Sequence, residues 1–355
     1  MTFYTKENKT ALQAKEYAQW IAFAPIVFQA TRSLQNFGIL LAVENAGKEG
    51  ITIKEVTEKL NLPYYGVRVL MEAGLGIGLL LNNDEKYTVT KTGYFILHDD
   101  LTKVNLDFVH DVCYEGMFSL EKSISTATPE GLKTFGSWST FYEGLAHLEP
   151  HVRKSWLAFD HFYSDDSFPE VLPIVFKDKP KTMLDIGGNT GKWSVACTKF
   201  DPEVHVTIMD LPGQTEMATK NINERNLQNR VSFYPTNILD EKIPFPKGFD
   251  VIWMSQFLDC FSDEQIISIL KRCCSSINDG GTVYIMELFW DKQRFEAAAF
   301  SLQMTSLYFT NIANGNSQMY NSKTFINLIE ASGLEVEEVI NNIGISHTLL
   351  KCKKI

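Results

Sequence analysis

The sequence predicts an α/β fold in its C-terminal half: an open, mostly parallel sheet with helices on both faces, preceded by a mainly α-helical segment. Three observations carry that expectation. From residue 181 the apolar pattern alternates between short strand-like runs and helical runs, and such alternation gives a parallel sheet between two helical layers. The first run leads into Asp185-Ile186-Gly187-Gly188-Asn189-Thr190-Gly191, an acid and a glycine-rich turn ahead of a helical pattern. The second ends in Asp210-Leu211-Pro212. Two acids therefore stand at the carboxyl ends of strands, where sheets of this kind bind their ligands.

Taken from the N-terminus, residues 11–46 read as helical, first around Trp20–Ala24 and then from Ala30 to Ala46. A short helix at 54–60, a turn at Asn61-Leu62-Pro63 and a helix at 64–73 follow, with Val67, Leu70 and Met71 at helical spacing. Gly74, Gly76 and Gly78 weaken the end of that helix. Leu79-Leu80-Leu81 and Tyr87-Thr88-Val89 form a hairpin around the polar Asn82-Asn83-Asp84. Helix, turn, helix and hairpin make a winged helix. Residues 63–80 carry a single basic residue, Arg68, offset by Glu72. A DNA reader needs more cations for phosphates, so the unit reads as a protein-protein packing module. The apolar stretch Ile21–Phe28 would be exposed in a monomer, which predicts a homodimer. Residues 101–175 read as mostly helical and are rich in aromatics, including Tyr114, Trp138, Phe141, Tyr142, Trp156 and Phe159. Such residues serve a core or a cleft for a flat apolar ligand.

After Asp178-Lys179-Pro180, strands are expected at 182–186, 204–209, 231–235, 249–254, 281–287, 334–340 and 347–352. Helices are expected at 191–200, 213–226, 262–277, 296–312 and 322–331. The short turn near Ile343-Gly344 makes the last strand antiparallel. The expected domains are 1–100, 101–178 as a helical connector contributing to a substrate pocket, and 179–355.

Composition narrows the function. With 355 residues, two domains are natural. The net charge of -10 argues against a nucleic-acid partner, which needs a basic footprint. The six cysteines lack C-x-x-C spacing and read as free thiols of a reducing compartment. No signal-type apolar core stands at the N-terminus, and no apolar run reaches the roughly 18 residues of a membrane span. A cytoplasmic enzyme without a membrane partner is expected.

The glycine turn discriminates among nucleotides. The dinucleotide fingerprint G-x-G-x-x-G would need glycines at Asn189 and Lys192, and a Walker A loop would need Ser or Thr where Trp193 follows Gly191-Lys192. Asp185 would repel a phosphate but suits a cationic amino group, as in the methionine part of S-adenosylmethionine. Asp210 can accept from both ribose hydroxyls, a device that NAD enzymes share.

With these motifs in place, the chain resembles the S-adenosylmethionine-dependent O-methyltransferases of the caffeic-acid and hydroxyindole type and their bacterial antibiotic-pathway relatives. The resemblance implies a seven-stranded Rossmann-like sheet, S-adenosylmethionine as cofactor, no metal, a small aromatic or polyketide-like acceptor, and a dimer through the winged-helix domain. Asp185–Gly191 matches the family's D-V-G-G-G-T-G, with Asn189 for the third glycine, and Asp210-Leu211-Pro212 matches its D-L-P. The cofactor contacts implied are Asp185, Gly187, Gly188, Asp210, Leu211, Asn237 and Ile238 at the adenine, Ser255 where many plant members have lysine, and Phe261 where a tryptophan stands.

The family's L-H-D-W-S-D-E is Leu258-Asp259-Cys260-Phe261-Ser262-Asp263-Glu264 here. The catalytic histidine is thus replaced by Asp259. Glu287 matches a glutamate that orients that histidine, and the second orienting glutamate falls near Gln318-Met319, where there is no acid. Asp259 and Glu287 are the catalytic candidates, Asp259 as a positioning group first and a base of raised pKa second. An acceptor that arrives ionised, or His161 or His347 as substitute base, are the other routes. Decarboxylation or hydroxylation without methyl transfer, and a non-enzymatic winged-helix regulator, are the readings from other classes.

Overall fold

The computed structural model describes residues 3–164 and 167–355. The chain forms two compact units, one up to His110 and one from Asp111 onward. The expected connector is therefore divided, with 101–110 in the smaller unit and the rest in the larger.

The smaller unit begins with a single helix, Ala11–Asn36, opened by a capping box in which Thr10 and Gln13 satisfy each other's backbone N–H. It runs through Pro25 without the expected interruption, and stops instead before Gly38, whose left-handed φ of 73° starts the short helix Ile39–Glu44. Ile53–Leu60 carries a second capping box, Thr52 with Glu55. Tyr64–Ile77 continues past its expected end. Gly74 is the reason: a Cβ there would come within 2.9 Å of the Leu80 side chain, so the glycine lets the helix lie on the hairpin. That hairpin pairs β1 (Leu80–Asn83) with β2 (Lys86–Val89), and its turn residues are Asp84 and Glu85, both at positive φ. Leu34, Leu40, Val43, Val56, Val67 and Met71 close the core. Leu12, Ile21, Phe23 and Ile26 on the long helix are exposed. Lys91–His98 and Asp100–Phe108 complete the unit.

Among its described residues, the larger unit holds a seven-stranded sheet. Its strands are β3 (Thr182–Ile186), β4 (His205–Asp210), β5 (Val231–Pro235), β6 (Phe249–Ser255), β7 (Ile277–Glu287), β8 (Leu334–Ile343) and β9 (His347–Lys354). The spatial order is β5-β4-β3-β6-β7-β9-β8. The first five are parallel, and β9 runs antiparallel to both neighbours, as expected.

Alternate side chains feed opposite faces, the period of a pleated strand. Leu184, Ile186, Ile252, Met254 and Ile285 pack with the helices Asp263–Ser276 and Ser322–Ala331. Met183, Val206, Val251, Trp253 and Tyr284 pack with Phe168–Val175 and Lys192–Phe200. The expected helix at 296–312 is α-helical to Tyr308 and finishes as a π turn, Phe309–Ala313. In that turn the buried Asn311 donates to the Gly116 carbonyl at 2.8 Å and accepts from Ser123 Oγ at 2.7 Å, which ties the helical segment after Asp111 to the sheet. The strand order reverses on the two sides of β3, so the carboxyl ends of β3, β4 and β6 surround one crevice.

Candidate active site

The crevice is built first by the turn after β3. Gly187 (φ 74°) and Asn189 (φ 48°) both take left-handed backbone, which asparagine tolerates better than most residues. Gly187 lies under the Phe257 ring: a Cβ there would fall 2.2 Å from it. The backbone N–H of Asn189 donates to Asp210 Oδ2 at 2.9 Å, and that of Leu211 donates to Oδ1 at 2.7 Å. These bonds lock the turn to the end of β4. Burial pushes the Asp210 carboxyl up to about 6 against the pull of the two N–H groups. Each of its oxygens retains acceptor capacity for a further donor. Asp185 is 2% exposed and accepts from Ser194 Oγ at 2.7 Å. Burial raises it to about 7; the Ser194 bond opposes that and the Asp210 charge adds to it.

A pocket opens over this turn. Asp185, Gly187, Gly188 and Asn189 line it, with Ser255 and Gln256 from the end of β6 and Asp160 and His161 from the helix Pro150–Ser164. Ser255 Oγ and Gln256 Oε1 are buried and have no hydrogen-bond partner among the described residues. Orphan polar atoms of this kind call for a polar ligand. Asp210, Leu211, Asn237, Ile238 and Phe261 are not among the lining residues, and Asp210 adjoins the pocket through the N–H of Asn189. Asn237 is exposed and its Oδ1 accepts from the Leu239 N–H at 3.0 Å, a local turn. The Ile238 side chain packs in the core, and Phe261 packs edge-on against Phe257, 4.9 Å between centroids. Sequence reasoning missed Gln256, Phe257 and Asp160. Gln256 has a left-handed φ of 47°, which no apolar period reveals, and Phe257 and Asp160 reach the crevice only through tertiary packing.

The second constellation lies on the short turn Leu258–Cys260. Asp259 is 5% exposed and Glu287, at the end of β7, is 1% exposed. Glu287 Oε1 accepts from the Phe257 N–H at 3.1 Å and from the Leu258 N–H at 2.9 Å. It thereby caps the turn that carries Asp259. Its Oε2 is buried without a partner among the described residues. Tyr142 Oη donates to Cys260 Sγ at 3.1 Å, and the Cys260 thiol donates to Asp259 Oδ1 at 3.5 Å.

Burial lifts Asp259 to about 7; the Cys260 bond opposes the rise and the Asp160 charge adds to it. Glu287 is pushed well above the carboxylate range, by burial first and by Asp259 second. Asp160 thus lines the pocket and also acts on Asp259, which makes the two constellations neighbours. Of the two histidines, His161 reaches the pocket, its Nδ1 4.0 Å from Asp160 Oδ2. His347 does not: it is fully buried on β9 opposite Ile343, and burial lowers it to about 4. Among the described residues no group of three or more His, Cys, Asp or Glu could hold a metal ion, and no helix is long and apolar enough to cross a membrane.

The strand order, the glycine turn and the acid at the end of β4 define a Rossmann-like nucleotide-binding enzyme domain. Comparisons with known proteins give it a class. Residues 171–335 match the O-methyltransferase domain and residues 15–87 match the Dimerisation2-like domain. The L-tyrosine C(3)-methyltransferase of Streptomyces lavendulae is 22% identical over 322 residues, 90% of this chain and 86% of that one. The solved apo structure of the S-adenosylmethionine-dependent methyltransferase SibL superposes with a TM-score of 0.70 at 22% identity, covering 94% of this chain and 98% of that one. An O-methyltransferase from neocarzinostatin biosynthesis, solved with S-adenosylhomocysteine and 1,4-dihydroxy-2-naphthoic acid, superposes with a TM-score of 0.66 at 17% identity, covering 92% and 96%. The chain belongs to the S-adenosylmethionine-dependent O-methyltransferase family, in the form that joins the methyltransferase domain to a dimerisation domain.

Proposed function

We propose that the protein transfers the methyl group of S-adenosylmethionine to a hydroxyl of a small aromatic acceptor, with Asp259 in the place of the family's catalytic histidine. The observation that carries this reading is the joining of the two sites at the end of β6, where Gln256 lines the pocket over the glycine turn, Phe257 covers Gly187 and the turn that carries Asp259 follows at once. The relatives support the acceptor class, since one is named for L-tyrosine and another was solved with a dihydroxynaphthoic acid.

The cofactor supplies an electrophilic methyl group on a sulfonium. The protein's own residues do the rest. Asp210 takes the ribose hydroxyls with the acceptor capacity its two N–H bonds leave open. The Asn189 N–H holds Asp210 to the glycine turn, Asp185 stands beneath that turn, and Ser255 and Gln256 offer their unpartnered oxygens. Leu211, Asn237, Ile238 and Phe261 support the nucleotide from the surrounding loops and core. Asp259 positions the acceptor hydroxyl and takes its proton. A phenol has a pKa of about 10, so a carboxylate at about 7 is a far better matched base than an ordinary aspartate. General-base help of this kind is worth roughly 10²–10⁴-fold. Glu287 positions Asp259 through the backbone it caps.

Thermal melting with S-adenosylmethionine, S-adenosylhomocysteine and NAD tests the cofactor. A ligand at 100 times its Kd stabilises by about 2.7 kcal/mol, so the sulfur nucleotides should raise Tm by several degrees and NAD should not. Asp210→Ala is expected to weaken S-adenosylhomocysteine about 10–100-fold in calorimetric titration, because a buried charge-assisted pair of hydrogen bonds is lost. An unchanged Kd would remove Asp210 from the cofactor site. A screen of phenolic acceptors, read by product mass and fragmentation, tests the transfer.

A second reading, methylation at a ring carbon beside the hydroxyl, is favoured by the replacement of the family's histidine together with the likeness to a tyrosine C-methyltransferase along 90% of the chain. Fragmentation places the methyl group on oxygen or carbon and decides between them. We also propose that the chain is a cytoplasmic homodimer built on its first 110 residues or so. The dimerisation-domain match, the exposed Leu12, Ile21, Phe23 and Ile26, and the six free thiols support this. Light scattering at micromolar concentration should give twice the chain mass, and a monomer mass would contradict it.

A further inference from the structure

Two carboxylates, Asp185 and Asp160, face the pocket over the glycine turn from different sides. Asp185 is poorly placed to meet a charged group. It is 2% exposed and already accepts from Ser194 Oγ at 2.7 Å. The turn lies against it: a Cβ at Gly188 would fall 2.8 Å from Asp185 Oδ2. Burial raises it to about 7, so at neutral pH it is protonated in large part.

Asp160 stands on the opposite wall. The helix Pro150–Ser164 buries Val152 and Trp156, and Asp160 continues that inward face at the same four-residue spacing. An acid thus sits where the apolar stripe of the helix runs into the pocket. Its side chain is 31% exposed, so a ligand reaches it without uncovering the core. Asn189 Nδ2 donates to Asp160 Oδ2 at 3.4 Å, a bond from the glycine turn across to the helix, and His161 Nδ1 lies 4.0 Å from the same oxygen. Asn189 stands where the family has its third glycine, and a glycine has no side chain to make that bond. Lys192 also lines the pocket, so both signs of charge face it. That suits a zwitterion, whose ammonium donates to a carboxylate in charge-assisted hydrogen bonds.

We propose that Asp160 holds the ammonium group of the cofactor's amino-acid tail, and that the Asn189 side chain positions Asp160 for it. The proposal rests on this pocket being the seat of S-adenosylmethionine, and not on the transfer step or on Asp259. It moves the amino-group contact from Asp185, where the motif alone puts it, to a helix residue outside the motif. Asp185 then serves the turn from beneath.

Three nucleotides separate the parts of the tail. S-adenosylhomocysteine has the whole tail and an uncharged sulfur. Its deaminated analogue keeps the carboxylate and lacks the ammonium, and 5′-methylthioadenosine lacks both. Each is titrated calorimetrically into the full chain at neutral pH. S-adenosylhomocysteine should bind about tenfold more tightly than the deaminated analogue, or better, as hydrogen bonds between charged groups require. In Asp160→Asn that preference should shrink to about threefold or less, while the other two nucleotides stay within about twofold of their wild-type affinities. Asn189→Gly installs the family's residue in left-handed backbone that glycine adopts readily; its preference should shrink in the same direction and by less. Equal wild-type binding of S-adenosylhomocysteine and the deaminated analogue would overturn the proposal. So would a preference that Asp160→Asn keeps, or an equal loss for all three nucleotides in that variant, the mark of a merely structural role. A preference lost in Asp185→Asn and kept in Asp160→Asn would return the ammonium to Asp185. An undiminished preference in Asn189→Gly would overturn the positioning role of Asn189. If none of the three binds, the pocket is not the cofactor seat and the proposal falls with that reading. Binding of 5′-methylthioadenosine with no gain from the tail would leave the seat standing and overturn the proposal alone.

Discussion

Gly187→Ala should abolish detectable S-adenosylhomocysteine binding and lower Tm by roughly 5–15 °C, the shift that a few kcal/mol produces in a domain of this size. Two effects combine. The residue has a φ of 74°, and a side chain in left-handed backbone costs about 1–2 kcal/mol. The new methyl would also stand 2.2 Å from the Phe257 ring, and overpacking of that kind costs about 1–3 kcal/mol. Relief requires the turn or the ring to move, and either movement disturbs the pocket. The turn is fastened to Asp210 by the Asn189 N–H, so a shift at 187 reaches the proposed ribose acceptor. Phe257 precedes the turn that carries Asp259, so a shift of the ring reaches the second constellation. Gly213→Ala is the control: no atom lies within 4 Å of its Cβ position, and its Tm and its Kd should stay at the wild-type values. A Gly187→Ala protein that melts and binds like wild type would show that the turn does not seat the nucleotide.

How far the sequence reveals this arrangement depends on the range of the interaction that fixes each part. The sheet is written locally. The strand at 182–186 falls where the apolar run places it, because a strand buried on both faces has a nearly continuous apolar run. The antiparallel last strand follows from a turn too short for a crossover. Features that depend on a neighbour are less legible. Gly74 looks like a helix breaker until Leu80 is seen against it, and the two stretches read as helical around Trp20–Ala24 and from Ala30 are joined through Pro25 in one helix.

The same division runs through the site. Asp185 and Asp210 are legible because they end strands in a motif. The bond from the Asn189 N–H to Asp210 is not, since it belongs to the backbone and leaves no residue preference. Glu287 is legible as a partner of the segment at 259, but its work on the N–H groups of 257 and 258 appears only when β7 and the turn are placed side by side. His347 shows the reverse case. A lone histidine near the C-terminus invites a catalytic reading, and the sheet buries it away from the pocket.

Asp259→Asn should make the protein more stable at pH 8 and much less active. The stability effect follows from proton linkage. In the folded protein the Asp259 carboxyl is raised from 3.8 to about 7, so between those values the native state holds a proton that the unfolded chain releases. Stability therefore falls as pH rises through this window, and the full penalty is present above it. Each pKa unit corresponds to ~1.4 kcal/mol, which makes the penalty at pH 8 about 4 kcal/mol at most. Asparagine cannot ionise and escapes it. Its Tm should exceed that of wild type by roughly 5–10 °C at pH 8, and the gain should fade as pH drops towards 4, where the wild-type carboxyl is protonated as well. Glu287→Gln should behave with the same sign, since burial and Asp259 both push Glu287 upward and glutamine keeps an oxygen for the N–H groups of 257 and 258. Activity should move the other way. An amide takes no proton, so turnover of the true acceptor by Asp259→Asn should fall about 100-fold or more if the carboxylate is the base. A loss below tenfold would sink a catalytic role for Asp259. A Tm difference that does not change between pH 4 and pH 8 would show that the carboxyl ionises in the folded protein as it does in water, and the buried acid pair would lose its claim to shape the chemistry. Stability surrendered at working pH in exchange for a group held near neutrality is the pattern expected of a functional residue, and the paired melting and turnover measurements read both sides of it on one variant.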